Sequence, residues 1–159
     1  KGAIIYIFLY VVMNTAIFSI LLSLKLNDKY IENINDLSGL SKSKPFFSAS
    51  IAVIMLSMAG IPPLAGFFGK FYIFISALEA DLIYLAVLGV IASVISAFYY
   101  LKIIKIMYFD NLDSSNFRVN ISRGSSIVLI ISIGLISLFV FYPSLLIMIA
   151  NDISINFFN

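Results

Sequence analysis

Four long apolar segments separated by short polar ones set the pattern of this chain. They cover residues 3–24, 46–78, 82–105 and 127–150. A helix rises about 1.5 Å per residue, so about 20 apolar residues cross a hydrocarbon core of about 30 Å. The pattern therefore predicts an all-α integral membrane protein with four transmembrane segments.

The second apolar segment is too long for a single membrane-crossing helix. As one helix, residues 45–78 would measure about 51 Å, well beyond the thickness of the hydrocarbon core. The segment is interrupted by two glycines and two prolines: Gly60, Pro62, Pro63 and Gly66. Proline removes a backbone donor and clashes with the preceding turn of a helix. We therefore predict a discontinuous helix, with halves near 46–59 and 67–78 joined by unwound backbone.

Lys70 lies in the second half of this interrupted segment, nine residues before Glu79. That spacing is about 13 Å of helix, close to half the thickness of the hydrocarbon core. A charge at that depth costs about 2.5–3.5 kcal/mol on insertion scales, so the side chain must face protein or water. Because burial disfavours the charged form of an amine, Lys70 is a candidate proton-relay group. The alternative is a tilted helix in which Lys70 is an interfacial anchor, like Lys102 and Lys105.

Other polar positions in the apolar segments have simpler interpretations. Asn14 lies near the middle of the first segment, where a hydrogen bond to a neighbouring helix and a functional role are both open. Tyr99 and Tyr100 are interpreted as interfacial residues at the end of the third segment. Pro143 is expected to bend the fourth segment near its end.

Two polar loops, 25–44 and 106–126, separate the segments. The basic residues fall in these loops or just before them: Lys25, Lys29, Lys42, Lys44, Lys102, Lys105, Arg118 and Arg123. The turn 79–81 and the tail 151–159 have none. The positive-inside rule therefore places both loops on the cytoplasmic or matrix side and both visible ends on the other side. A short amphipathic helix is expected within 30–37 of the first loop.

Composition supports a membrane protein and excludes several kinds of chemistry. The chain is 62% hydrophobic and 11% charged, whereas soluble domains are about 45–50% apolar and about 25% charged. A net charge of +2 is too small to indicate nucleic-acid binding. Without Cys or His, the chain cannot form disulfides, thiolate-ligated clusters or nucleophilic triads that need those residues. No metal or cofactor site is predicted in this chain.

The first residues indicate that the chain is a piece of a longer polypeptide. Lys1 is followed directly by an apolar helix, without the features of a signal peptide. We interpret residues 1–159 as a single membrane domain, the C-terminal fragment of a larger protein. A processed start is the alternative.

Two stretches carry a resemblance to a known family. They are DLSGLSKSKP at 36–45 and MLSMAGIPPLAGFFGKFYIF at 55–74, and AFYYLK at 97–102 adds to them. These residues resemble the antiporter-like membrane subunits of respiratory complex I. Within that superfamily the chain is most similar to subunit N of bacterial NADH–quinone oxidoreductase, the counterpart of mitochondrial subunit 2.

The resemblance implies a proton-translocating subunit of an inner membrane, bacterial or mitochondrial, coupled to electron transfer in other subunits. Lys70 matches the family's lysine on its second discontinuous helix. The resemblance also implies that NADH, FMN, iron–sulfur clusters and quinone bind elsewhere in the wider complex. The expected partners are other membrane subunits of complex I, the missing N-terminal part of the same subunit and the lipid bilayer. Two alternatives remain, a subunit of a multisubunit sodium/proton antiporter and a purely structural membrane anchor.

Overall fold

A computed structural model describes residues 2–26, 29–110, 117–119, 123–142 and 148 of the chain. The helices are α1 Gly2–Ser23, α2 Leu40–Ser43, α3 Pro45–Ala59, α4 Ala65–Glu79, α5 Ile83–Phe109 and α6 Arg123–Phe141. Three short strands are β1 Leu24–Leu26, β2 Lys29–Tyr30 and β3 Phe117–Val119, and Ile34–Leu37 forms a 3-10 turn.

Two of these helices are long and apolar enough to cross a membrane. By length and composition, α1 and α5 meet that condition, whereas α3 and residues 126–136 of α6 are apolar but shorter. The described part of the chain is thus mainly helical, as the apolar segments predict. Its helices are apolar over most of their surface.

α1 is the helix around which the core is built. It packs against α4 on one side and α6 on another, while α3 packs against α5. Its buried positions recur every three or four residues: Ile5, Leu9, Val12, Met13, Ala16, Ile17 and Ile20. Its other face is equally apolar yet exposed, with Ile7 60% and Leu22 68% exposed. An apolar helix that buries only one face needs lipid or further protein against the other.

The mainly helical structure agrees with the all-α prediction, and the two polar loops share a small three-stranded sheet that the sequence does not predict. β1 lies in the centre and pairs antiparallel with both β2 and β3. Lys25 faces Tyr30 on one side and Arg118 on the other. Strands of two or three residues are too short for the alternation of apolar and polar positions that reveals a strand. Within 30–37, where a short helix is expected, the structure has the four-residue 3-10 helix at Ile34–Leu37, and Tyr30 ends β2.

Several predicted boundaries differ from the observed ones. α5 runs to Phe109, so the first residues of the predicted loop 106–126 are helical, and Ile106 and Met107 are buried. Asn14 donates to the carbonyl oxygen of Tyr10 within its own helix, at 2.9 Å, rather than to a neighbouring helix. The predicted bend at Pro143 and nearly all of the fourth segment beyond it lie outside the described residues.

Candidate functional site

The end of α3 is built to stop a helix abruptly. Gly60 adopts a left-handed conformation, with φ 88°. Its amide donates to the Ser57 carbonyl at 3.0 Å, and the Ile61 amide donates to the Leu56 carbonyl at 3.2 Å. This pair of bonds is the Schellman motif, which satisfies two of the carbonyls left open at a helix C-terminus. Glycine adopts the required left-handed conformation without a Cβ penalty.

The two prolines remove the donors that a continuing helix would supply. In a helix, the amides of residues 62 and 63 would donate to the carbonyls of Met58 and Ala59, four residues earlier. Pro62 and Pro63 have no N–H, and the peptide bond between them is cis. The Ala59 carbonyl therefore needs a donor from elsewhere in the molecule.

Lys70 supplies that donor. Its Nζ donates to the Ala59 carbonyl oxygen at 3.3 Å, from a half-buried position in α4. The aliphatic stem of Lys70 runs past Gly60, where an added Cβ would lie 3.1 Å from the Lys70 Cδ. The glycine thus gives the chain both its turn and the space for the lysine. Among the described residues, no carboxylate lies within ion-pairing distance of Lys70.

The start of α4 is capped by a side chain from α3. Leu64 occupies the N-cap position and has no side chain that could accept a hydrogen bond. The buried Ser57 Oγ instead accepts from the Gly66 amide, at 3.0 Å. A Cβ on Gly66 would overlap the Ser57 carbonyl oxygen. The first turn of α4 therefore lies in contact with the last turn of α3, and the two helices overlap side by side.

Two cavities meet at Lys70. One, of about 320 Å³, lies among α1, α4 and α5, and its lining includes three tyrosines: Tyr6, Tyr10 and Tyr100. The other, of about 310 Å³, lies beside the α3–α4 connection and is lined by Ala59, Gly60 and apolar residues of α4 and α5. Lys70, Phe74 and Ser93 line both. The Lys70 side chain thus borders both cavities. We call the first the tyrosine cavity.

The structure brings together all five residues singled out from the sequence. Gly60, Pro62 and Pro63 form the connection, Gly66 lies at the start of α4, and Lys70 contacts the connection. Predicted boundaries are close, although α4 begins at Ala65 rather than at 67. No group of three or more His, Cys, Asp or Glu side chains placed to hold a metal ion occurs among the described residues.

Sequence reasoning missed Ser57 and the tyrosines. Ser57 stands three residues before Gly60 in an otherwise apolar turn, and that isolated polar position was the available signal. Tyr6 and Tyr10 are four residues apart, so they lie on one face of α1. Tyr100, interpreted as an interfacial residue, lines the tyrosine cavity. Nothing in the sequence alone shows that these residues from α1 and α5 meet Lys70.

The sequence is similar to those of known membrane proteins. Residues 1–96 match the family described as NADH:quinone oxidoreductase/Mrp antiporter, TM. The match includes Lys70 and the whole α3–α4 connection. The NADH-quinone oxidoreductase subunit N of Parvibaculum lavamentivorans is 56% identical over 110 residues, which are 69% of this chain and 23% of that protein. The same subunit of Pelagibacter ubique is 50% identical over 156 residues, 98% of this chain and 33% of that protein.

A solved structure shows the same fold. Respiratory complex I from Thermus thermophilus with bound aureothin contains a chain that matches with a TM-score of 0.70 and 26% identity. The match covers 89% of this chain and 32% of that one. This chain thus spans about a quarter to a third of the length of the proteins it matches. It belongs to the NADH:quinone oxidoreductase/Mrp antiporter family of transmembrane proteins.

Proposed function

We propose that this chain is part of a proton-translocating membrane subunit of an NADH:quinone oxidoreductase, and that Lys70 relays the protons. The observation that carries the proposal is the position of the Lys70 amine, held by the Ala59 carbonyl between two cavities. No carboxylate of the described residues neutralises it. An unpaired amine inside a membrane protein is costly to keep charged, so its proton is readily given up to water or to a neighbouring polar group.

We infer that α3 and α4 are two halves of one discontinuous membrane span. Unwound backbone at membrane depth is tolerated only where it is buried in protein or lines a cavity. Ala59 and Gly60 line a cavity, and Ser57 and Lys70 supply hydrogen bonds across the connection. Nine residues of uninterrupted helix separate Lys70 from Glu79, about 13 Å. This spacing supports a position for Lys70 near the middle of the bilayer.

The span count and orientation follow from the same proposal. With α3 and α4 counted together, α1, α5 and α6 complete four crossings. The basic residues of loops 25–44 and 106–126 favour the cytoplasmic or matrix side of an inner membrane for both loops. The exposed apolar faces of α1 and α5 would then contact lipid or other membrane subunits.

The rest of the reaction would take place in other polypeptides. Electron transfer from NADH through FMN and iron–sulfur clusters to quinone is assigned to other subunits of the complex. The remainder of the same subunit and its neighbouring membrane subunits are the proposed partners. The names of the relatives and the complex I structure support this assignment.

A sodium/proton antiporter subunit is the second candidate. The family description includes both oxidoreductases and Mrp antiporters, and both would use a lysine on a discontinuous helix. Relatives at 42–56% identity carry the name NADH-quinone oxidoreductase subunit N, which favours the first candidate. Ion transport that depends on sodium and continues without NADH oxidation would favour the second.

The proposal is tested by Lys70→Met in the full-length subunit within its assembled complex. Methionine keeps an unbranched stem beside Gly60 and removes the amine. We expect normal assembly and a clear fall in protons moved per electron, measured in proteoliposomes during NADH oxidation. Lys102→Met is the matched control, because Lys102 is an exposed lysine of α5. A normal proton-to-electron ratio in Lys70→Met would show that Lys70 is not the relay.

A further inference from the structure

The tyrosine cavity has polar side chains on the α1 side of Lys70. Tyr6 and Tyr10 of α1 stack, with ring centroids 5.9 Å apart and an angle of 22° between the planes. Tyr6 lies at the level of Lys70, because a Cβ on the adjacent Gly69 would be 3.6 Å from the Tyr6 Cα. Tyr100, from α5, lines the same cavity as both of them. Two helices thus bring three tyrosines to the cavity that Lys70 also lines.

Tyr10 also borders a second space. It also lines a groove of about 620 Å³ along α1, together with three polar residues: Asn14, Thr15 and Ser19. We call this the α1 groove. Asn14 and Thr15 each donate to a carbonyl one turn earlier, which leaves the amide oxygen of Asn14 and the lone pairs of the Thr15 hydroxyl as acceptors. Nine residues, about 13 Å of helix, separate Tyr10 from Ser19.

The chemistry of the lining suits proton transfer through water. A tyrosine hydroxyl both donates and accepts a hydrogen bond. It can therefore accept a proton on its oxygen while it passes its own proton to the next acceptor. A water molecule takes about 30 Å³ of liquid volume, so the tyrosine cavity has room for about ten. The hydroxyls of Ser93 and Ser96 also line it.

We propose that Lys70 exchanges its proton with the α1 groove through the tyrosine cavity, with the hydroxyls of Tyr6, Tyr10 and Tyr100 and intervening water as carriers. This inference rests on the proposed function and adds the path that the proton takes between Lys70 and the α1 groove. An N–H bond of the Lys70 ammonium breaks and an O–H bond forms on water or a phenol. Each carrier gives its own proton to the next oxygen and ends neutral. Lys70 is left as an amine, and one proton has reached the groove.

Removing the three hydroxyls tests the path. In the full-length subunit within its complex, the triple variant Tyr6→Phe, Tyr10→Phe, Tyr100→Phe keeps the rings that fill the space. We expect normal assembly, loss of most of the proton transfer that depends on Lys70, and a changed ratio of rates in H₂O and D₂O. Tyr84→Phe is the control, since Tyr84 is 89% exposed and lines none of these spaces.

The outcomes distinguish a failure of the proposed proton path from a failure of the proposed function. Normal pumping by the triple variant, together with lost pumping by Lys70→Met, would overturn the path and leave the proposed function standing. Normal pumping by both would overturn the proposed function as well. If the triple variant does not assemble, Tyr10→Phe alone decides, because Tyr10 lines both the cavity and the groove. Unchanged pumping and an unchanged isotope ratio in that variant would contradict the path.

Discussion

The C-termini of α3, at Gly60, and of α4, at Asp81, have the same backbone geometry in different surroundings. Both form a Schellman motif, since the Leu82 amide donates to the Ala77 carbonyl at 2.9 Å and the Asp81 amide to the Leu78 carbonyl at 3.0 Å. Both carry a left-handed residue, at φ 88° for Gly60 and 57° for Asp81. After Asp81 the next helix begins almost at once. After Gly60, two prolines intervene.

The difference shows what turns a helix end into a site. At Asp81 the left-handed residue is exposed, and aspartate is one of the few residues other than glycine that adopt this conformation. At Gly60 the space of a Cβ is taken by the stem of Lys70. The prolines then leave a carbonyl for the lysine to bind. The same turn therefore only reverses the chain at Asp81, whereas at Gly60 it contacts the side chain of Lys70.

The largest expected effect comes from Gly66→Ala, which breaks the overlap of α3 and α4. The new Cβ would overlap the Ser57 carbonyl, so backbone must move. Overpacking of this kind costs about 1–3 kcal/mol. We expect less assembled complex and a lower midpoint of thermal inactivation.

Gly134→Ala is the matched control for this substitution, because a Cβ at Gly134 of α6 has no described atom within 4 Å. That variant should match the wild type or exceed it slightly, since alanine favours a helix. Equal stability of the Gly66 and Gly134 variants would show that the two helices are not in close contact.

Gly60→Ala disturbs both the left-handed turn and the position of the Lys70 side chain. Forcing a left-handed conformation on alanine costs roughly 1–2 kcal/mol. Its Cβ would also lie 3.1 Å from the Lys70 Cδ and push the stem aside. We expect reduced stability and a fall in protons moved per electron, measured as for Lys70→Met. A variant that loses stability but pumps normally would show that the contact with Lys70 is not required.

Ser57→Ala removes the cap of α4 while leaving the backbone path unchanged. Loss of an N-terminal cap costs about 1 kcal/mol, here through the buried Gly66 amide. A modest drop in the inactivation midpoint is expected. Ser50→Ala is the control on the same helix, because the Ser50 hydroxyl donates to the Phe46 carbonyl within that helix. If both substitutions have the same effect, Ser57 is not acting as a cap.

Asp81→Gly should have the smallest effect, in the opposite direction. Glycine adopts the left-handed conformation freely, but it loses more entropy on folding. We expect a gain below about 1 kcal/mol in stability and no change in pumping. A marked loss of assembly would mean that the Asp81 carboxylate binds a partner, which the described contacts do not include.

Local chemistry explains why the connection could be predicted and its surroundings could not. Pro62 and Pro63 prevent a regular helix whatever surrounds them, and the length of 45–78 requires an interruption. The bond from Ser57 to Gly66 depends on how two helices lie against each other, which spacing along the chain does not specify. The position of Tyr100 near a helix end indicates an interfacial residue. Its place in the tyrosine cavity depends on how α5 packs against its neighbours.

The small sheet in the polar loops also limits how often the chain can cross a membrane. Because β1 and β3 are paired, residues 24–26 and 117–119 lie on the same side of any bilayer that the helices span. The number of crossings between them must therefore be even. If α5 crosses once, as proposed, α3 and α4 together must supply an odd number. Two separate spans would violate this parity, whereas a single discontinuous span satisfies it. Six residues of strand thus support one crossing for a pair of helices that lies between them along the chain.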